Sequence, residues 1–322
     1  MTAWRSATFA LALAALTCGG AGAQKYPDKP IRLVVPFPPG SASDFLARTI
    51  SQKMTDALGQ QLVVDNRAGA GGLIGSQITA KAAPDGYTVA MIGQPQITNV
   101  LLHKDKPYDP LADFTSVGQV ASMPNVLVLG AGVPANSLTE LIALAKANPG
   151  RLNFGSAGIG SSSHLAAEQF NRVAGIKAVH VPYKLIADIF TDLLAGRIQY
   201  YLFPLPAAMP MVKEGKLRAV AVATPKRAYA LPDVPTTAEA GLPAYQSDSW
   251  FGIVGPARLP HKLVAQLNAD LVKVLQSADT RERLLRGGAE PVTGSPEQFL
   301  QLQKNELEKI GRIVREAGIA AQ

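Results

Sequence analysis

The chain has 322 residues, 31 Lys plus Arg against 24 Asp plus Glu, and a formal net charge of +7. The excess cations form no run and no basic stripe interleaved with aromatics, which excludes a nucleic-acid partner and leaves a mild positive field suited to small anions. A single cysteine, Cys18, excludes an internal disulfide framework and a zinc–thiolate site.

Taken in order, the chain opens on a secretory signal over residues 1–23. Arg5 supplies the positive region, Phe9 to Leu16 the apolar core, and Ala21-Gly22-Ala23 the small-residue cleavage site before Gln24. Thr17 before Cys18 argues against lipidation of that cysteine, so a soluble exported protein without a thiol is expected. Removing Arg5 lowers the charge from +7 to +6. No later stretch reaches about 18 uncharged apolar residues. About 299 residues remain, more than one compact core usually holds, so two domains are expected.

A β-branched run over 31–35 predicts a strand that stops at Pro36-Phe37-Pro38-Pro39-Gly40-Ser41, with a helix from about Asp44 to Leu58. Leu46, Ile50, Met54 and Ala57 mark its buried stripe, and Gly59 its end. A strand over 61–64, a Gly-rich turn to Gly72, a helix over 73–83 and a strand over 87–92 follow. The β-α-β-α-β order predicts a parallel sheet covered by helices. Gly69-Ala70-Gly71-Gly72-Leu73-Ile74-Gly75 has Ile74 where a dinucleotide fingerprint needs its third glycine, and no Walker lysine follows any Gly loop. Gly93-Gln94-Pro95-Gln96 is expected as a third pocket loop, with Gln94 donating.

A strand over 126–129, with Met123-Pro124 at a crossover, leads to a helix over 138–147. The sequence Asn153 to His164 then repeats the strand, Gly/Ser loop, helix grammar of the first loop, its helix running to Ala174. Strands over 178–181, 199–203 and 217–223 alternate with helical segments over 188–195 and 206–214, and the Pro-rich 230–243 reads as a surface connection. The last part predicts a strand over 250–254 and two amphipathic helices near 260–276 and 296–316. Lys304, Glu306, Glu308, Lys309, Arg312 and Arg315 are expected in solvent.

These patterns predict an α/β protein with two sheet-and-helix lobes: 24–124 plus 224–322 as the first, and 125–223 inserted as the second. Two Gly/Ser loops about 115 residues apart, each opening a helix, suggest two lobes facing one anion, because a helix start presents free N–H groups with partial positive charge.

Catalysis has little support in the residues. None of Ser161, Ser162 and Ser163 has the glycine spacing of a nucleophile elbow, and Ser156 has it on one side only. The four histidines, His103, His164, His180 and His261, lack metal-ligand spacing. His180, in an apolar strand, reads as a core residue, whereas His164, at a helix start, is balanced between ligand contact and structural hydrogen bonding. No cofactor, metal or catalytic residue is expected.

Several motifs in fixed order resemble the Bug family of periplasmic solute-binding proteins of tripartite tricarboxylate transporters. They are Val34-Val35-Pro36-Phe37-Pro38-Pro39-Gly40, Asp65-Asn66-Arg67 with the glycines that follow, Asp85-Gly86-Tyr87-Thr88, Gly158 to His164, Val181-Pro182-Tyr183-Lys184, and Leu231-Pro232-Asp233-Val234-Pro235-Thr236. The resemblance spans the chain beyond the signal. It implies a Venus-flytrap fold that closes on a small carboxylate, held largely by backbone N–H groups and hydroxyls of two loops, and delivery to membrane subunits of the transporter. The matching positions are Phe37, Gly40 and Ser41 in the first loop and Ser156, Ser161, Ser162, Ser163 and His164 in the second. Tyr183, Gln94 and Phe203 are further expected contacts.

The sequence departs from the family at Ser41, where a second Gly is common, at Leu185-Ile186 after the lysine, and at Phe203-Pro204-Leu205, where Asp or Asn is frequent. An apolar wall of Leu185, Ile186, Phe203 and Leu205 would favour an aromatic or other dicarboxylate of the phthalate type. Citrate or another aliphatic carboxylate is the alternative. A periplasmic ligand-sensing module and, remotely, a secreted serine hydrolase are rival classes. A monomer with a hinge near residues 124 and 224 is expected.

Overall fold

The computed structural model describes residues 26–316 apart from Lys104, Lys106, Gly160 and Lys184. The expected signal over 1–23, with Cys18, lies outside the described residues. β1 (Ile31–Val35) is almost wholly buried, its alternate side chains serving two layers. Ile31, Leu33 and Val35 meet α1 (Ala42–Leu58), while Val34 faces the opposite cluster. Such continuous apolar runs are what a strand covered on both faces requires.

β1 lies between β2 (Leu62–Asn66) and β3 (Thr88–Gly93), parallel to both. One 3₁₀ turn and α2 (Leu73–Ala80) link β2 to β3. α3 (Gln94–Leu102) starts directly at the end of β3, where the sequence suggested a loop. Pro95 sits in its first turn, where no intrahelical N–H is needed.

β4 (Phe114–Leu129) runs through both lobes. Up to Pro124 it pairs antiparallel with β9 (Asp248–Pro256), which itself pairs with β3. From Asn125 and Val126 it pairs with β7 (Tyr200–Pro204) and β8 (Arg218–Val222). α4 (Leu138–Ala147), β5 (Asn153–Ser156), α5 (Ser162–Ala174), β6 (Val179–Pro182), α6 (Ile186–Leu194) and α7 (Leu205–Lys213) complete the second lobe. α8 (His261–Gln276), α9 (Ala278–Arg286), the short β10 (Glu290–Pro291) and α10 (Pro296–Glu316) return to the first. The resulting order is β2-β1-β3-β9-β4-β7-β5-β6, with β8 and β10 also on β4.

Two apolar clusters cover the first-lobe part of this sheet and two the second-lobe part. The chain passes outward at Pro124–Asn125, but its return falls later than residue 224. Ala228, Leu231, Ala240, Leu242 and Tyr245 all pack on second-lobe clusters, and the first lobe resumes with β9. The 230–243 segment is therefore partly a core contributor, with Thr236 and Thr237 buried. In α1, Leu58 takes the buried position expected of Ala57, which is exposed. On α10, Glu306 is buried rather than solvated, and Lys309 Nζ lies 3.2 Å from its carboxylate. No helix among the described residues is long and apolar enough to cross a membrane.

Candidate functional site

A cleft of about 490 Å³ opens where β1, β3, β5 and β7 end, with walls from both lobes. The first lobe presents the start of α1. Ser41 caps it, its Oγ accepting the Asp44 N–H at 3.3 Å, and Ser41, Ala42 and Ser43 line the cleft. The first residues of a helix have N–H groups without an intrahelical acceptor, so Ala42 and Ser43 offer donors there.

Gly40, at φ +80, makes the turn that a Cβ would strain. Its own N–H donates to Asp44 Oδ2 at 2.9 Å and is thereby used inside the loop. Asp44 also accepts from Arg48 Nε and Asn66 Nδ2, each at 3.0 Å, and Asn66 Nδ2 donates to the Phe37 carbonyl as well. Burial alone would raise the Asp44 carboxyl, but hydrogen bonds from Arg48, the Gly40 N–H and Asn66 outweigh it and hold the group below its ordinary range. The sequence did not single out Asp44 or Asn66 as props of this loop. From sequence Asp44 marks only the helix start, and Asn66 only a place in the Asp65-Asn66-Arg67 motif.

The second lobe presents the start of α5 in the same way. Ser161 caps the helix by accepting the His164 N–H at 3.2 Å, and Ser162 and Ser163 follow into the cleft. Ser163 Oγ accepts the Ala157 N–H at 3.0 Å and lies 3.1 Å from Ser161 Oγ, which pins the loop to its helix.

Of the residues named from sequence, Phe37, Ser41, Gln94, Ser161, Ser162 and Ser163 line the cleft. Gly40 is exposed on the first loop outside the lining, and the others lie behind the cleft. Ser156 is fully buried, 2.5 Å from His180 Nε2, and its Oγ also accepts the Gly158 N–H. His164, also buried, stacks on His180 at 3.9 Å between ring centroids, with Nε2 3.7 Å from Glu168. Tyr183 donates its hydroxyl to Asp192 Oδ2 at 2.6 Å and packs against the second-lobe core. Phe203 is inside that core, stacked on Phe190 at 4.8 Å. These placements put Ser156, His164, Tyr183 and Phe203 in a supporting layer rather than on the cleft surface.

The expected apolar wall is also rearranged. Ile186 lines the cleft, whereas Leu205 is fully buried and Leu185 is 63 % exposed outside the lining. Phe37, Leu102, Ile159 and Phe251 contribute apolar surface there as well. Sequence reading also missed Thr98, Asn99, Leu102 and His103, because the α3 segment carrying them was not recognised as a helix. Their spacing of one, then three, then one residues is a helical-face signal that was available.

No Lys, Arg, Asp or Glu lines the cleft among the described residues, and its titratable side chains are His103 and Tyr201. Burial pushes Tyr201 up to about 12, so its phenol is neutral. No cluster of three or more His, Cys, Asp or Glu among the described residues is placed to hold a metal. Ser161 faces the backbone N–H of His164 and Ser156 is closed off from the cleft, so neither is arranged as a nucleophile with a base in the cleft.

Two α/β lobes sharing a strand, with two helix starts directed at a cleft between them that no Lys, Arg, Asp or Glu among the described residues lines, have the architecture of a solute-binding protein. The chain belongs to the tripartite tricarboxylate transporter receptor family, TctC, whose pattern it matches over residues 46–319. It is 37 % identical over 298 residues to BugT of Bordetella pertussis, covering 92 % of this chain and 91 % of BugT. An R. palustris protein solved with adipate superposes with a TM-score of 0.82 at 37 % identity, over 92 % of this chain and 99 % of that one. MatC from Rhodopseudomonas palustris with bound malate gives 0.77 at 32 % identity, over 90 % of this chain and 100 % of MatC. The family is one of periplasmic solute-binding receptors, not of enzymes.

Proposed function

We propose that this receptor captures a dicarboxylate with an apolar body between its lobes and delivers it to the membrane subunits of a tripartite tricarboxylate-type transporter, working as an exported monomer in the periplasm. The observation that carries the reading is the pairing of two serine-capped helix starts, α1 and α5, on one cleft with no Lys, Arg, Asp or Glu in its lining among the described residues. One carboxylate is held there by the Ala42 and Ser43 N–H groups and the hydroxyls of Ser161 and Ser162. Such neutral, preorganised donors hold an anion through partial charges aligned by the helices. They also release it more readily than a buried cation would, which suits a carrier.

Phe37, Ile159, Ile186 and Phe251 give the ligand body an apolar channel. A bare methylene chain or an aromatic ring fits it, whereas a hydroxylated acid leaves its hydroxyls unpaired. An amino acid would bring an ammonium into a cleft without a carboxylate to pair it. The adipate in the R. palustris relative is in line with an apolar dicarboxylate, while the malate in MatC makes a hydroxylated diacid the competing ligand class.

A thermal-shift panel of linear diacids, benzene dicarboxylates, malate, citrate and amino acids tests this. A ligand bound only by the folded state raises the midpoint by mass action. Selective shifts with unsubstituted or aromatic diacids are expected. Shifts confined to malate or citrate would overturn the ligand class, and silence across all acids would overturn the carboxylate reading.

A further inference from the structure

We propose that His103 is a specificity-determining residue that receives the second carboxylate of the ligand. This inference rests on the carboxylate reading above and extends it to a particular side chain and to ligand length.

α3 lays one face along the cleft. Gln94, Pro95, Thr98, Asn99, Leu102 and the capping residue His103 all line it, at spacings that return to the same side of a helix. From Gln94 to His103 the helix rises roughly 14 Å at about 1.5 Å per residue. Gln94 directly follows Gly93, which pairs with Phe251, so that end of the helix sits at the cleft floor. His103 therefore stands at the far end of the same wall.

Between the two ends, Thr98 and Asn99 each spend a side-chain donor inside the protein. Thr98 Oγ1 donates to the Gln94 carbonyl at 3.2 Å, and Asn99 Nδ2 donates to the Gly71 carbonyl at 2.8 Å. Neither the Gln94 amide nor the His103 ring has a hydrogen-bond partner among the described residues, and both border the cleft. On this helix face the side-chain donors without a partner stand at the two ends, which matches a molecule with a carboxylate at each end.

Charge points the same way. His103 is the one imidazole in the described lining, and no Lys or Arg joins it there. A ring N–H facing a carboxylate makes a charge-assisted hydrogen bond, stronger than one between neutral groups. His103 is half-buried and sits in extended backbone at φ −105, which any residue adopts, so it can be replaced without strain.

The test is titration calorimetry of the purified chain with linear diacids of increasing length and with the monoacid matching each. Wild type is compared with His103→Leu and His103→Gln, and thermal melts establish that each variant is folded. The expected result is that His103→Leu loses about tenfold in affinity, roughly 1.4 kcal/mol, for the best diacid and leaves its monoacid unchanged. His103→Gln, which keeps an N–H donor without the ring, is expected to fall between. Equal losses for diacid and monoacid, or no loss for either, would overturn the assignment of His103 and leave the receptor reading standing. A wild-type protein that binds neither acid at any length would instead overturn the carboxylate reading itself.

Discussion

His180 shows how a residue away from the ligand surface can set the conditions under which the site exists. Burial first, and the facing charge of His164 second, push its ring down to about 4, outweighing the pull of Glu168. An unfolded chain holds the same ring near the ordinary value of about 6.5. Between those values the unfolded state binds more protons, so stability rises with pH across that window and is lost as pH falls from about 6.5 towards 4. Urea midpoints of wild type should therefore drop between pH 7 and pH 5. In His180→Gln that part of the drop should vanish, and an unchanged pH dependence in the variant would contradict the account. The stack ties this behaviour to the second serine loop, because Ser156 holds His180 and His164 opens α5.

At the scale of elements, the order of strands and helices was largely legible, because β1, α1, α4, α5 and β7 each carry one clear period bounded by a cap or a Gly. The misses have physical causes. Gly93-Gln94-Pro95-Gln96 was expected as a loop, yet in the first turn of a helix proline removes no bond. β4 was seen only in its last four residues, since Val126 to Leu129 form an apolar run while the stretch before them carries Gly118, Gln119 and Pro124. The cleft wall was misassigned because an apolar residue at a strand end faces either the core or the cleft, and sequence does not say which. Phe203 went inward and Tyr201, two residues earlier, contributes to the lining. The serine caps were readable because capping needs a hydroxyl at one defined position.

Gly75 in α2 illustrates a conflict between local and tertiary terms. Alanine is the better helix former by about 1 kcal/mol, but a Cβ at Gly75 would lie 2.8 Å from Pro36 Cα and 3.0 Å from the Arg67 carbonyl. Both neighbours are backbone and cannot swing aside. Gly75→Ala should thus lower stability by about 1–3 kcal/mol despite the propensity gain, as overpacking does, and should loosen the first ligand loop. Denaturant unfolding with a parallel ligand titration checks both effects, and a stabilised variant would show that the contact yields.

On the scale of the whole molecule, the lobes are tied by β4 and by the entry to β9, so relative rotation concentrates near Pro124–Asn125 and residues 247–248. Hinges of this kind are a few residues at element ends. Val63 on β2 and Val179 on β6 lie on the outermost strands of the first and second lobes and are both about half-exposed. Spin labels on Val63→Cys and Val179→Cys, in a chain whose native cysteine is removed by Cys18→Ser, should report a narrower distance distribution when ligand is added. A distribution insensitive to every bound ligand would argue for a rigid cleft.

The place of β9 between β3 and β4 also governs how the protein comes into being. Ribosomes deliver a chain from its first residue onward, and the gap between β3 and β4 stays unfilled until residues 248–256 have been made. At about 5–20 residues per second, that delay after β4 is on the order of ten seconds, with two strand edges open to wrong partners. The second lobe, contiguous from the latter half of β4 through Tyr245, has all its strands by then. Newborn chains are thus most exposed to aggregation in their first lobe, and a cell that keeps them unfolded until synthesis ends removes that hazard altogether.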